Sequence, residues 1–195
     1  MGRSHCTKPI RIWILGACIC ATLFLALSCK YENWAMKTYK DYRLKSENTT
    51  YFGLWKHCLD TRAPAVNNKE QPMMSECWNF GTSSEMTGIY GTPGFIKLTR
   101  GFLVLMIVLM GLASLVTCFI MFTSDRPLLL YSTPITLAST IVGIIILGIF
   151  LGKMLNNDMY KDYDMAWSFY YYLIGWFFTL SAFCVAMTDK PEHKY

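Results

Sequence analysis

The sequence predicts a membrane all-α four-helix bundle that carries a small extracellular antiparallel β-sheet. Three observations lead there. Of the 195 residues, 53% are hydrophobic and only 16% charged, well below the roughly 25% charge of soluble domains. The apolar residues gather into four uncharged blocks, 12–29, 102–122, 128–151 and 166–187, each near the ~20 residues that span a bilayer as a helix. One long polar segment, 30–99, separates the first two blocks and holds short β-forming runs and two cysteines. The whole chain, 1–195, reads as one four-transmembrane domain.

The first block follows Arg3, Lys8 and Arg11. A cleaved signal peptide is the rival reading, with a basic start, an apolar middle and small Ala26 and Ser28 near its end. The block exceeds the roughly 7–15 residues of a signal-peptide core, and a four-helix topology needs it retained. In the polar segment, runs 34–40, 50–55 and 76–80 are rich in β-formers and predict strands. Residues 62–72 read as loop, with Asn67-Asn68 as a turn, and Gly91-Thr92-Pro93-Gly94 marks the segment's end. Residues 123–127 make a tight connection, 152–165 a polar loop, and 188–195 a short tail.

Of the eight cysteines, Cys18, Cys20, Cys118 and Cys184 fall inside apolar blocks, where a thiol packs as a small hydrophobe. Cys58 and Cys77 are the pair in the polar segment, and in an oxidising space they should form a disulfide. Such a staple suits a small sheet that would be marginal alone. Zinc needs more ligands than His57 beside Cys58 supplies. With both termini inside, the inner segments carry Arg3, Lys8, Arg11, Arg126, Lys190 and Lys194, against Lys153 and Lys161 in the short outer loop. This bias predicts cytoplasmic termini. It places the glycosylation acceptor Asn48-Thr49-Thr50 outside, together with the cysteine pair.

No ionisable residue lies inside any block, which argues against a pump, a coupled transporter or a self-contained pore. Small residues offer packing seams instead: Ser168, Gly175 and Ala182 in the fourth helix, and Ser139 with Gly143 and Gly148 with Gly152 in the third. These seams hold the bundle together, or one of them docks a partner helix, with Ser139 and Gly143 as the close-approach residues; a homo-oligomer stays open. Trp167, Phe169 and Tyr170-Tyr171-Tyr172 read as an aromatic belt at the headgroups. Asp158, Asp162 and Asp164 read as a solvated loop, with calcium binding as the alternative. Nothing points to an enzyme, a cofactor, a metal or nucleic acid: Cys18-Ile19-Cys20 is not a redox pair, and the basic residues flank apolar blocks, where they contact lipid headgroups.

Trp34, then Gly53-Leu54-Trp55 with Cys58, then Cys77, and Arg100 before the second helix form a spaced set. It resembles the first-loop pattern of the superfamily of claudins, peripheral myelin proteins and voltage-gated calcium-channel gamma subunits. Gly175-Trp176 resembles a pair common in the superfamily's fourth helix. Asn-Thr-Thr ahead of Phe52, Asn79-Phe80 before Ser83-Ser84-Glu85, and the Tyr-rich fourth helix are most similar to the skeletal-muscle type of gamma subunit. The long cysteine spacing and the end Glu192-His193-Lys194-Tyr195 depart from claudins. The resemblance implies an indole, Trp55, buried between sheet and helix mouths. It also implies a non-catalytic auxiliary subunit bound to the pore-forming subunit of an ion channel, or to a receptor, within the bilayer. Claudin-like adhesion, barrier or membrane-structural work is the alternative.

Overall fold

The computed structural model describes residues 7–31, 33–41, 46–62, 74–79, 94–123, 129–156, 160 and 162–188. Along them run α1 (Thr7–Lys30), β1 (Ala35–Asp41), β2 (Ser46–Phe52), β3 (Lys56–Arg62), β4 (Met74–Asn79), α2 (Gly94–Thr123), α3 (Leu129–Asn156), β5 (Asp164–Met165) and α4 (Trp167–Thr188). Each apolar block forms a helix, and all four helices are long and apolar enough to cross a membrane. The chain is a multi-pass membrane protein with four spanning helices and, among the described residues, one small antiparallel sheet.

Helix α2 begins at Gly94, not at 102. The reason is a buried stripe that runs straight through the charged turns. Ile96, Thr99, Leu103, Met106, Met110, Ala113, Thr117 and Ile120 are all buried, at alternating steps of three and four. That is the spacing of one helix face. Lys97 and Arg100 stand off the stripe and do not interrupt it. Helix α3 tolerates Pro134 in its early turns, where the ring is exposed, and continues to Asn156.

The described residues divide into two compact units. The first takes those within Met1–Leu27, Gly101–Gly148 and Tyr171–Tyr195. Here Phe24 of α1 stacks on Phe178 of α4 at 6.0 Å. Tyr172 donates its hydroxyl to the Gly143 carbonyl at 2.6 Å, and Trp176 donates Nε1–H to the Thr140 carbonyl at 3.3 Å. Helices in lipid lack a hydrophobic drive toward one another, so such close packing and polar ties hold them.

The second unit takes those within Ser28–Arg100 and Ile149–Tyr170. Its sheet has the order β4-β3-β2-β1-β5, antiparallel throughout. Two strands were not foreseen. β3 is largely polar, with no clean alternation, and forms because β2 and β4 flank it. β5 is two residues inside the expected loop 152–165, paired to Ala35 and Met36. The predicted strand 50–55 is also split: β2 ends at Phe52, and Gly53 to Trp55 turn the chain into β3. An aromatic core of Trp34, Phe52, Phe95, Phe150, Phe169, Tyr160 and Tyr163 fills this unit, with neighbouring ring centroids 5.0–6.4 Å apart. Residues 63–72, 91–93 and 124–127, and with them the predicted Asn67-Asn68 turn, lie outside the described residues.

Candidate functional site

Trp34 is wholly enclosed. Its Nε1–H donates to the Ser28 carbonyl at 2.9 Å, and its ring meets Phe150 and Phe169 edge-on at 5.0 and 6.0 Å. The chain beside it clasps the start of α4. Ser168 donates its amide to the Asn33 carbonyl, the Asn33 amide donates to Ser168 Oγ, and the Ala166 amide donates to the Trp34 carbonyl. The first amides of a helix need partners from outside it; Asn33 supplies one for Ser168, and the Ala166 carbonyl serves Phe169 and Tyr170. Buried Ser168 therefore works as an end clasp rather than as a helix-packing residue.

Gly53-Leu54-Trp55 is the tip of the hairpin between β2 and β3. The Gly53 amide donates to the Lys56 carbonyl, leaving Leu54 and Trp55 as a two-residue loop. Leu54 points in, 1% exposed, and Trp55 points out, 41% exposed. This corrects the expected buried indole: Trp34 and Leu54 are the buried pair. Trp55 is positioned all the same. Its Nε1–H donates to the Cys29 carbonyl at the end of α1 at 2.9 Å, and the Arg100 guanidinium lies over its ring, 4.8 Å from the centroid. Arg100 Nε in turn donates to the Leu54 carbonyl. One arginine thus reads the hairpin tip from both sides.

Cys58 and Cys77 stand directly opposite each other on β3 and β4 and form the disulfide. Asn48 lies within β2, opposite Tyr39 and Thr61, half-buried, with no hydrogen-bond partner for its Oδ1 among the described residues. On the row next to the disulfide His57 stacks against Trp78 at 6.1 Å, and partial burial pulls its pKa below 6.5. The family profile described as PMP-22/EMP/MP20/Claudin tight junction matches residues 19–188. The chain belongs to the claudin family. No curated protein matches the chain.

The helix seams of this claudin-family chain sort into two kinds. A Cβ built on Gly143 would stand 2.1 Å from Trp176 Cδ1, and one on Gly175 would stand 2.9 Å from Leu25 Cγ. Both glycines are spent on contacts within the chain, as are fully buried Ser139 and Ala182. The expected partner contact through Ser139 and Gly143 is therefore overturned: Trp176 of α4 already fills that space. At Gly148 and Gly152 nothing lies within 4 Å of an added Cβ.

The aromatic belt also divides. Trp167 and Tyr170 are exposed, whereas Tyr172 is buried and bonded to α3. The run of three tyrosines hid this, because only the helical angle of each tells belt from core. In the claudin-family sheet, Lys37 pairs with Asp162 at 2.9 Å and lies over the Tyr163 ring at 5.9 Å, tying β1 to the segment before α4. Sequence reading missed this tie, since 125 residues separate the partners. It also engages one of the three loop aspartates; Asp164 is exposed in β5 and Asp158 lies outside the described residues. Among the described residues no cluster of His, Cys, Asp or Glu is suited to a metal.

Proposed function

We propose that this claudin-family protein is a non-catalytic, gamma-like auxiliary subunit that binds and modulates an ion channel or receptor. It resides in the plasma membrane with both termini cytoplasmic and a glycan on Asn48 outside. The observation that supports the docking mode is the outward surface of α3. Gly148 and Gly152 are spaced four apart on one helix, each with open space where a side chain would be. The neighbouring exposed residues Ile141, Ile144 and Ile145 add uncharged surface. Small residues at this spacing let a foreign helix approach closely. Modulation then follows if one conformational state of the partner fits that seam better than another. The described strands carry charge of both signs, including Lys37, Lys40, Asp60 and Glu76. That mixture supports a companion subunit more than a barrier lining.

A claudin-like adhesive or barrier role is the second reading. Its support is β4, an end strand of the sheet whose Met74 is 70% exposed, because end strands are templates for pairing with another chain. Co-purification with a pore-forming subunit separates the two, each variant first matched for surface level. Gly148→Phe should reduce recovery of the complex, and replacement of the exposed β4 residues Met74 and Glu76 should matter less. Loss on the β4 replacement alone would replace the intramembrane docking with contact through the sheet.

A further inference from the structure

We propose that Tyr39 is the stacking surface for the first N-acetylglucosamine of a glycan on Asn48, a site that rests on the glycosylated Asn48 of the preceding section and adds the residue that receives the sugar. Asn48 of β2 stands directly opposite Tyr39 of β1. Opposed residues of an antiparallel pair share one face of the sheet, with Cβ atoms about 4.5–5.5 Å apart. A sugar on the asparagine amide therefore starts within reach of the phenol ring. That ring is open: Tyr39 is 44% exposed, and among the described residues no hydrogen bond, ion pair or ring contact engages its side chain. Asn48 Oδ1 is enclosed while the residue as a whole is half-buried, an orientation that turns Nδ2, the glycan-bearing atom, outward.

The surroundings suit a sugar. The same row continues through Thr61 of β3 to Met74 of β4, and none of its four side chains is charged. One face of N-acetylglucosamine presents axial C–H bonds with slight positive charge, and the face of an aromatic ring is negative. The sugar can lay that face on Tyr39 and keep its hydroxyls and acetamide in water. The sheet also has a use for the contact. Ala35 and Phe52, four residues along the same ladder, are buried, and Phe52 belongs to the aromatic core. Tyr39 and Asn48 lie about 13 Å along the strands from that pair, at the rise of an extended chain. The sugar would supply there the ring packing that the core supplies at the other end.

Thermal unfolding of the full chain in detergent tests this, with the protein made with high-mannose glycans and trimmed by endoglycosidase to a single N-acetylglucosamine. Compared with Asn48→Gln, the one-sugar chain should melt about 2–4 °C higher, the shift that one strong cross-strand contact gives at this chain length. Tyr39→Phe should keep the gain. Tyr39→Thr, which retains a β-forming side chain, should lose it, so that Tyr39→Thr and Asn48→Gln are non-additive. Should Tyr39→Thr not fold, the wild-type one-sugar chain decides: with the sugar labelled with carbon-13, its C–H proton signals should stand upfield of those of free N-acetylglucosaminyl-asparagine, displaced by the ring current of Tyr39. An equal gain in wild type and Tyr39→Thr, or unshifted sugar signals, would overturn the stacking while the glycan stands. A wild-type chain with no sugar on Asn48 would overturn the glycosylation reading and the site with it.

Discussion

Trp34 and Trp55 each donate an indole N–H to a carbonyl near the end of α1, but the surroundings of the two rings set different consequences for their loss. Trp34 is fully buried among aromatic rings, so Trp34→Ala should cost ~3–5 kcal/mol, as for a core aromatic left as a cavity. Trp55→Ala forfeits one hydrogen bond and a ring contact with Arg100 at a half-open site, and should cost about 1–2 kcal/mol. Denaturing-detergent titration of the two variants measures the order, and a larger loss at Trp55 would contradict it. Glycines divide in the same way. Gly143→Ala must displace Trp176, at about 1–3 kcal/mol for an overpacked site, whereas Gly148→Ala should stay within roughly 0.5 kcal/mol of wild type. The sequence marked both glycines as seam residues; only the position of Trp176 across the helix pair tells them apart. His57 adds a pH dependence. Burial lowers its folded pKa below 6.5, so the unfolded chain binds more protons. The sheet's stability from this group is complete above about pH 6.5 and falls as pH drops through the folded value. Unfolding followed by Trp fluorescence should show the sheet weaker at low pH, and His57→Gln should remove that slope.

At the scale of elements, the disulfide closes the least self-sufficient part of the sheet. A sequence separation of 19 between its cysteines corresponds to roughly 3 kcal/mol in the chain-entropy model. Cys58→Ser should leave β4 poorly docked, and alkylation under denaturing conditions should then label Cys77 in the variant but neither cysteine in wild type. Labelling of both in wild type would contradict the pairing. The four helices were legible because long uncharged blocks have few other uses in a chain of this length. The start of α2 was not, because the charges at Lys97 and Arg100 mask a buried stripe that periodicity alone would have extended to Ile96. β3 and β5 were illegible for another reason. A strand of mixed polarity, or of two residues, forms through its neighbours, and neighbour identity is a property of the folded sheet. The motif residues Trp34, Gly53, Leu54, Trp55 and Arg100 could be singled out only through their resemblance to a superfamily pattern. Which of the two indoles is buried depends on the hairpin turning between Gly53 and Lys56.

For the whole molecule, the proposed orientation predicts that Asn48→Gln removes one glycosidase-sensitive band shift in intact cells, and a cytoplasmic accessibility label within 35–62 would reverse the orientation. The auxiliary-subunit role is tested most directly by crosslinking mass spectrometry of the assembled protein in native membranes, read at Lys153, exposed in the last turn of α3, and at Lys37 and Lys40 of β1. The expected result is crosslinks from Lys153 to a pore-forming channel or receptor subunit, reduced in the Gly148→Phe variant. Crosslinks that run only through β1 and β4 to further copies of the same chain, unchanged by Gly148→Phe, would contradict it and establish adhesion through the sheet.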